Sequence, residues 1–220
     1  WTGLEPHEYD QGQRDGVHEV LAVSTAGMLI RRDVFDELGG FDPNLSLFRD
    51  DIDLGWRARV AGHSVIAVTD AIALHAEASA SERRRVDVKS AFLHRPLLLD
   101  RRNAAYVLLA NSSWWLLPWL VLQLFGSALV RAFGYLIAKL PGYAGDEILA
   151  VGLLIVHPNL LRDARKIRRS QRLISPRVVS TFIPPRWSQL RLSATRAAEA
   201  IRQKILPTSP EPLSALDAPD

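Results

Sequence analysis

The sequence predicts an α/β segment followed by membrane-associated α-helices, and three observations carry that fold class. Residues 17–78 alternate strand-like and helix-like stretches. Residues 103–130 form a run of 28 without a charged side chain, where about 20 apolar residues suffice to cross a bilayer core. The charge is also split: residues 1–78 carry 14 Asp and Glu against 6 Lys and Arg, and residues 79–220 carry 10 against 21. The formal net charge of +3 therefore conceals an acidic half and a basic half. The basic residues flank the most apolar stretch, as in a chain seated on an anionic leaflet, and this argues against a nucleic-acid binder.

With 220 residues and 48% hydrophobic content the chain has ample material for a core and is not a disordered protein. It contains no cysteine, which excludes disulfides and thiolate metal sites and leaves His, Asp and Glu as the strong metal ligands. It starts at Trp1 and its one methionine is Met28, so it reads as a piece of a longer translation product.

The elements follow in order. Residues 1–16 are polar and turn-rich, and "VHEVLAVSTAGMLIRR" from Val17 is strand material leading to Gly27, which permits a close backbone approach. "RDVFDELGGFDP" predicts a short helix with Asp33 as cap and Val34, Phe35 and Leu38 inward, ended by Gly39-Gly40 and the turn signal Asp42-Pro43. From Asp51 the apolar residues Leu54, Ala58 and Ala61, with Val60 beside them, recur at the spacing of an amphipathic helix until Gly62. "SVIAVTDAIALHAE" is strand-like again and delivers His75.

Beyond a basic linker or helix over 79–102, residues 103–157 read as a transmembrane or re-entrant helical region. Pro118 and the cluster Trp114, Trp115 and Trp119 allow a span that begins at Trp114, with the tryptophans at an interface. The second apolar run, "ILAVGLLIV" at 148–156, is too short to span alone. Extending it upstream brings in Lys139, Asp146 and Glu147, each costing about 2.5–3.5 kcal/mol near a bilayer centre. Arginines on both outer flanks favour an even number of crossings, hence a hairpin or a re-entrant segment. Residues 158–206 read as basic amphipathic helices, with 187–206 suited to a membrane surface or to packing on another helix, and 207–220 as a disordered tail.

"LFRDDIDLGWRARVAGH" places Asp50, Asp51 and Asp53 on the first turn of the second helix. There the helix dipole lowers the cost of clustering like charges by a few tenths to about 1 kcal/mol each. Such a carboxylate can take a proton from a hydroxyl nucleophile while a neighbour orients a sugar. Asp51 or Asp53 can also bind a divalent cation with His75 as a nitrogen ligand, and capping and solvation remain the plain alternative.

The whole run "STAGMLIRRDVFDELGGFDPNLSLFRDDIDLGWRARVAGHSVIAVTDAIALH" resembles the acceptor-binding half of GT-A-type, family 2 glycosyltransferases. The likeness lies in a small-residue strand, two arginines, a helix ending in Gly-Gly-Phe-Asp, an acidic doublet opening a helix, Gly-His, and a strand ending in His. It covers about residues 17–78 and is nearest to actinobacterial cell-wall enzymes of the galactofuranosyl- and rhamnosyltransferase type; "LLLDRRNAAYVLLAN" resembles an Arg-Asn element near the same junction.

The resemblance implies the C-terminal half of a Rossmann-like GT-A domain over 1–78 and an inverting transfer from a nucleotide-sugar. Asp51, the second member of the doublet, would be the general base, with Asp50, Asp53 and Gly27 in support of the acceptor. His75 would complete the coordination of Mn²⁺ or Mg²⁺. The implied acceptor is a cell-wall or polyprenyl-linked glycan, and the implied place is the cytoplasmic face of the inner membrane. The family's donor half, with its separate Asp-x-Asp motif, should lie N-terminal to all of this. "DID" at 51–53 fits that pattern literally but sits in the acceptor helix. A chain lacking the donor half is expected to be inactive alone, and a membrane anchor or assembly module with a vestigial acidic site is the competing class.

Overall fold

The strand-like stretch after Gly16 forms β1, Val17–Glu19, which pairs antiparallel with β2, Ile66–Val68, in the register Val17↔Val68 and Glu19↔Ile66. The computed structural model describes residues 15–72 and 95–183. Its α/β character there is confined to this ribbon, and most of the described chain is helical. Of the expected half of a Rossmann-like sheet, the described residues hold this two-stranded ribbon. His75, most of the basic linker, the helix expected over 187–206 and the tail lie outside them.

Between the strands lie a 3-10 turn, Thr25–Gly27, and two helices, α1, Arg32–Glu37, and α2, Asp50–Val60. Val34 and Leu38 of the first meet Leu54, Ala58 and Ala61 of the second, and Met28, Ile30, Phe35 and Val65 close the cluster. Asp33 does not cap α1, as its sequence position suggested; it pairs with Arg31 on the surface. Gly62 takes φ +94 just past α2, where the His63 N–H reaches back to the Ala58 carbonyl at 3.0 Å.

Nor is α2 amphipathic: every residue from Asp53 to Val60 is buried, two arginines included. Their charges are met by carboxylates, Arg57 by Asp53 at 2.7 Å and Arg59 by Glu19 at 3.3 Å, and their remaining donors reach backbone carbonyls. Arg57 donates to Leu38 and Gly40, and Arg59 donates to Val20 and Val65 with its guanidinium 4.2 Å from the Phe182 ring. A Cβ on Gly55 would come within 2.5 Å of the Leu21 carbonyl, so the backbone of 21–22 packs directly on this helix.

The C-terminal part is a layer of helices: α3, Pro96–Asn111; α4, Leu117–Ile137; α5, Pro141–Val156; α6, Pro158–Ser170; and the short α7, Pro176–Ser180. The uncharged run of the sequence is therefore two helices broken at Ser112-Ser113. Its first part is mostly buried within the protein: Asn103, Ala105, Tyr106, Val107, Leu109, Ala110 and Asn111 are buried. Trp114–Ile137 is the one described helix long and apolar enough to cross a membrane by itself, and most of it is exposed.

Tight packing orders the layer. Glu147 of α5 is fully buried and accepts from Arg101 of α3 at 2.9 Å and Arg131 of α4 at 2.8 Å, while Asp146 pairs with Arg95. The two carboxylates that weighed against a second apolar segment are thus neutralised inside the protein. At the other end Ala105 and Leu109 of α3 face Val151 and Leu154 of α5 and Leu117, Val121 and Leu124 of α4 around a common gap. So α3 and α5 run parallel and α4 returns between the same levels, with α3 against the α/β part and α4 outermost. Along the outer side Trp119, Leu122, Phe125, Leu129, Val130, Phe133, Leu136 and Ile137 are exposed.

Candidate functional site

Two left-handed residues launch the acidic helix. Phe48 has φ +62 and Arg49 φ +66, conformations that cost non-glycine residues about 1–3 kcal/mol each and persist where the surroundings hold them. The surroundings are α3. Arg49 makes a two-pronged pair with Asp100 at 2.7 and 3.1 Å, and Asn103 donates through Nδ2 to the carbonyls of Leu47 and of Phe48, the latter at 3.2 Å. Arg102 donates to the Asn44 carbonyl at 2.7 Å. The "DRRN" stretch of α3 thus clamps the loop that aims the aspartates.

The three aspartates separate into two environments. Asp53 is fully buried: its Oδ2 accepts from Arg57 Nε at 2.7 Å, and its Oδ1 from Asn111 Nδ2 at 2.8 Å and Arg168 Nη2 at 2.7 Å. Arg168 also donates to Asp42 at 2.7 Å, where the Tyr106 hydroxyl donates at 2.7 Å. Burial pushes the Asp42 carboxyl up, but Arg168, Tyr106 and the Asn44 N–H outweigh it and leave it below the usual carboxylate range. Asp53 is therefore a hub that ties α2 to α3 and α6, with both oxygens committed to protein donors. Expected in support of the acceptor, it supports the fold here through donors on three helices.

Asp50 and Asp51 are half-buried, and neither forms an ion pair among the described residues. Burial raises the Asp51 pKa above the ordinary carboxylate value, the Ile52 N–H bond at 2.7 Å opposes this, and the charge of Asp50 adds to the rise. Asp50 lies in the wall of a groove of about 490 Å³ with Thr25, Met28, Ile30, Arg32, Phe35 and Phe41. The rings of Phe35 and Phe41 meet edge to face with centroids 5.5 Å apart. Gly27 is exposed in its 3-10 turn and does not line the groove, although Thr25 and Met28 beside it do.

The aromatic pair went unread as a groove wall in the sequence, since Phe35 fits a core position equally well; the signal was Phe41 in Gly-Gly-Phe-Asp. Among the described residues no group of three His, Asp or Glu side chains is placed to hold a metal ion. Asp53 is spent on arginines, and His75 is outside the described residues. The described residues alone do not fit a divalent cation.

Residues 7–88 match the family model described as glycosyltransferase like family 2. The O-antigen biosynthesis protein RfbC of Myxococcus xanthus is 35% identical over 72 residues, 33% of this chain and 6% of the relative. The N-acetylglucosaminyl-diphospho-decaprenol L-rhamnosyltransferase of Mycobacterium tuberculosis, found in two strains, is 30% identical over 117 residues, 52% of this chain and 32% of the relative. The chain thus spans about a third or less of these relatives' length, and no solved structure matches it. The acidic helix, its clamped loop and the groove all fall within or against the matched stretch. Residues 7–88 thus carry the chain's likeness to glycosyltransferase family 2.

Proposed function

We propose that this chain forms the acceptor side of a membrane-associated, inverting glycosyltransferase that moves a sugar from a nucleotide-sugar to a hydroxyl of a cell-wall or lipid-linked glycan. One observation carries the reading. Within the family 2-like stretch, Asp50 and Asp51 stand without an ion pair at a helix start held by α3, one beside an aromatic-walled groove and the other with a raised pKa despite the nearby charge of Arg49. A carboxylate pushed upward toward neutrality is a better base than an ordinary one at the same pH.

In the proposed step the acceptor sugar lies along the Phe35–Phe41 wall with Asp50 on one of its hydroxyls. Asp51 takes the proton of the attacking hydroxyl as its oxygen bonds to the anomeric carbon. The bond from that carbon to the diphosphate breaks with inversion, and the electron pair leaves on the nucleotide. A divalent Mn²⁺ or Mg²⁺ would offset charge on the leaving diphosphate, with His75 as the ligand proposed from this chain.

Membrane seating belongs to the same proposal, at the cytoplasmic face of the inner membrane. Trp114, Trp115 and Trp119 mark one end of the exposed α4 face and Tyr135 and Tyr143, 5.5 Å apart, the other. Crossing by α4 would carry the antiparallel α3 to the same depth, and with it Arg102, which forms no ion pair among the described residues, at about 2.5–3.5 kcal/mol. The seating that fits is a hairpin lying in one leaflet, α4 face down.

The test uses the full-length natural protein with a panel of sugar nucleotides and a lipid-linked glycan acceptor. Transfer by the wild type, with loss of about 10²–10⁴-fold in kcat for Asp51→Asn, is the expected result. Undiminished turnover in that variant removes Asp51 from its role and favours the anchor reading with a vestigial acidic site.

A further inference from the structure

The helical layer holds a second concavity with a different chemistry. A groove of about 250 Å³ opens between α3, α4, α5 and α6. Its wall is apolar, with Leu109, Val121, Leu124 and Ile155 among its residues, except for Arg162 and Arg165 of α6. The volume is below the roughly 300–1,000 Å³ of pockets that enclose a whole small ligand, so it suits a segment of one chain.

The arginines are short of negative charge. Among the described residues neither forms an ion pair. Arg165 donates to the carbonyls of Leu109 and, at 2.8 Å, Ser112 at the end of α3, and exposed Arg162 reaches only the Asn159 side chain at 3.4 Å. Burial, then the charges of Arg172 and Arg168, hold the Arg165 pKa below the usual guanidinium value, as expected of a cation whose neighbours repel it. Arg168, whose guanidinium touches Asp53, is three residues further along the same helix, about 4.5 Å of rise.

An apolar slot beside an exposed apolar helix face, closed at its mouth by uncompensated arginines, is complementary to an amphiphile with an anionic head. We propose that this groove takes the tail of a single-chain, phosphate-headed lipid entering along α4, with Arg162 and Arg165 holding the phosphate. The head group is then presented toward α2, not toward the bulk leaflet, and that orientation favours a lipid carrying the acceptor over an ordinary two-tailed phospholipid. The purpose of the lipid rests on the glycosyltransferase reading; its binding does not.

Calorimetric titration of the full-length protein in a neutral maltoside detergent tests the binding, with dodecyl phosphate as probe and dodecanol, inorganic phosphate and phosphatidylglycerol vesicles as controls. The wild type is expected to bind dodecyl phosphate at least about tenfold more tightly than dodecanol or phosphate, the effect of joining one charge-assisted contact to tail burial. Ile155→Trp, which fills the exposed rim of the slot, and Arg162→Gln, at an exposed position outside the fold's ion-pair network, should each weaken it by about tenfold or more. Equal binding by the filled variant, equal affinity for dodecanol, or vesicle binding that dodecyl phosphate does not displace each overturns the proposal. A transfer-competent enzyme that fails to bind the probe sinks the groove alone. An enzyme that binds the probe but never transfers sugar sinks the catalytic reading alone.

Discussion

The first turn of α2 and the inner end of the same turn hold the same residue type in opposite circumstances. Asp53 has three donors within 2.8 Å and no exposure, while Asp50 and Asp51, three and two residues earlier, form no ion pair among the described residues. A buried carboxylate survives only if its charge is matched in place, and such a group is then unavailable for anything else. Half-buried carboxylates without an ion pair keep lone pairs free, and Asp51 carries its raised pKa at a standing cost to stability. Three like residues in four positions therefore divide between holding the fold together and being left over for chemistry.

The sharpest way to break that division is to neutralise one member of each class. Asp51→Asn should cost about 10²–10⁴-fold in kcat with the urea midpoint of unfolding unchanged or raised, since it removes an uncompensated charge. On the matched side, Arg168→Met should do the reverse. It leaves Asp42 and Asp53 each without a cation they now share, and losing one partner of a buried pair costs about 3–5 kcal/mol. A change of under about 1 kcal/mol in denaturant unfolding would mean that Arg57 and Tyr106 satisfy the two carboxylates alone.

The clamp between the two classes gives a smaller effect with a sharper signature. Asn103→Ala frees the carbonyls of Leu47 and Phe48 and should cost about 1–3 kcal/mol together with lost turnover. Asn103→Asp keeps the shape but has no N–H to donate, so it should fail to rescue either quantity although Arg102 remains 2.8 Å from the side-chain oxygen. Rescue by aspartate would mean that the loop is held by Arg49 and Asp100 instead.

Much of this was legible before any coordinates. The two short helices, their glycine ends, the strand on either side and the position of the acidic doublet follow from local spacing, and α2 begins one residue before the expected start. Even the odd standing of Asp53 was latent, because at 100° per residue it lies about 200° around the helix from Asp51. Its partners were not: Asn111 and Arg168 are 58 and 115 residues away, and no local pattern reports a contact at that separation. The same blindness affected the apolar run. Hydropathy does not distinguish burial under another part of the protein from burial in lipid, so residues 103–111 were counted with a span although they pack beneath the acidic loop. Asp146 and Glu147 looked too costly for an apolar hairpin because Arg95, Arg101 and Arg131 were read as flanks, not partners.

The finest test of the division uses pH. Proton abstraction requires Asp51 ionised, so transfer is lost as pH falls through its pKa. Burial raises that pKa most, and the negative charge of Asp50 raises it further. Asp50→Asn deletes only the second contribution. The acid limb of the kcat/KM profile should therefore move to lower pH, whatever happens to its height through weaker contact with the acceptor. A limb that moves to higher pH, or stays in place, would show that Asp50 does not act on Asp51 through its charge. The pair would then be independent carboxylates that happen to be adjacent, and the groove wall would be the whole of the first one's work.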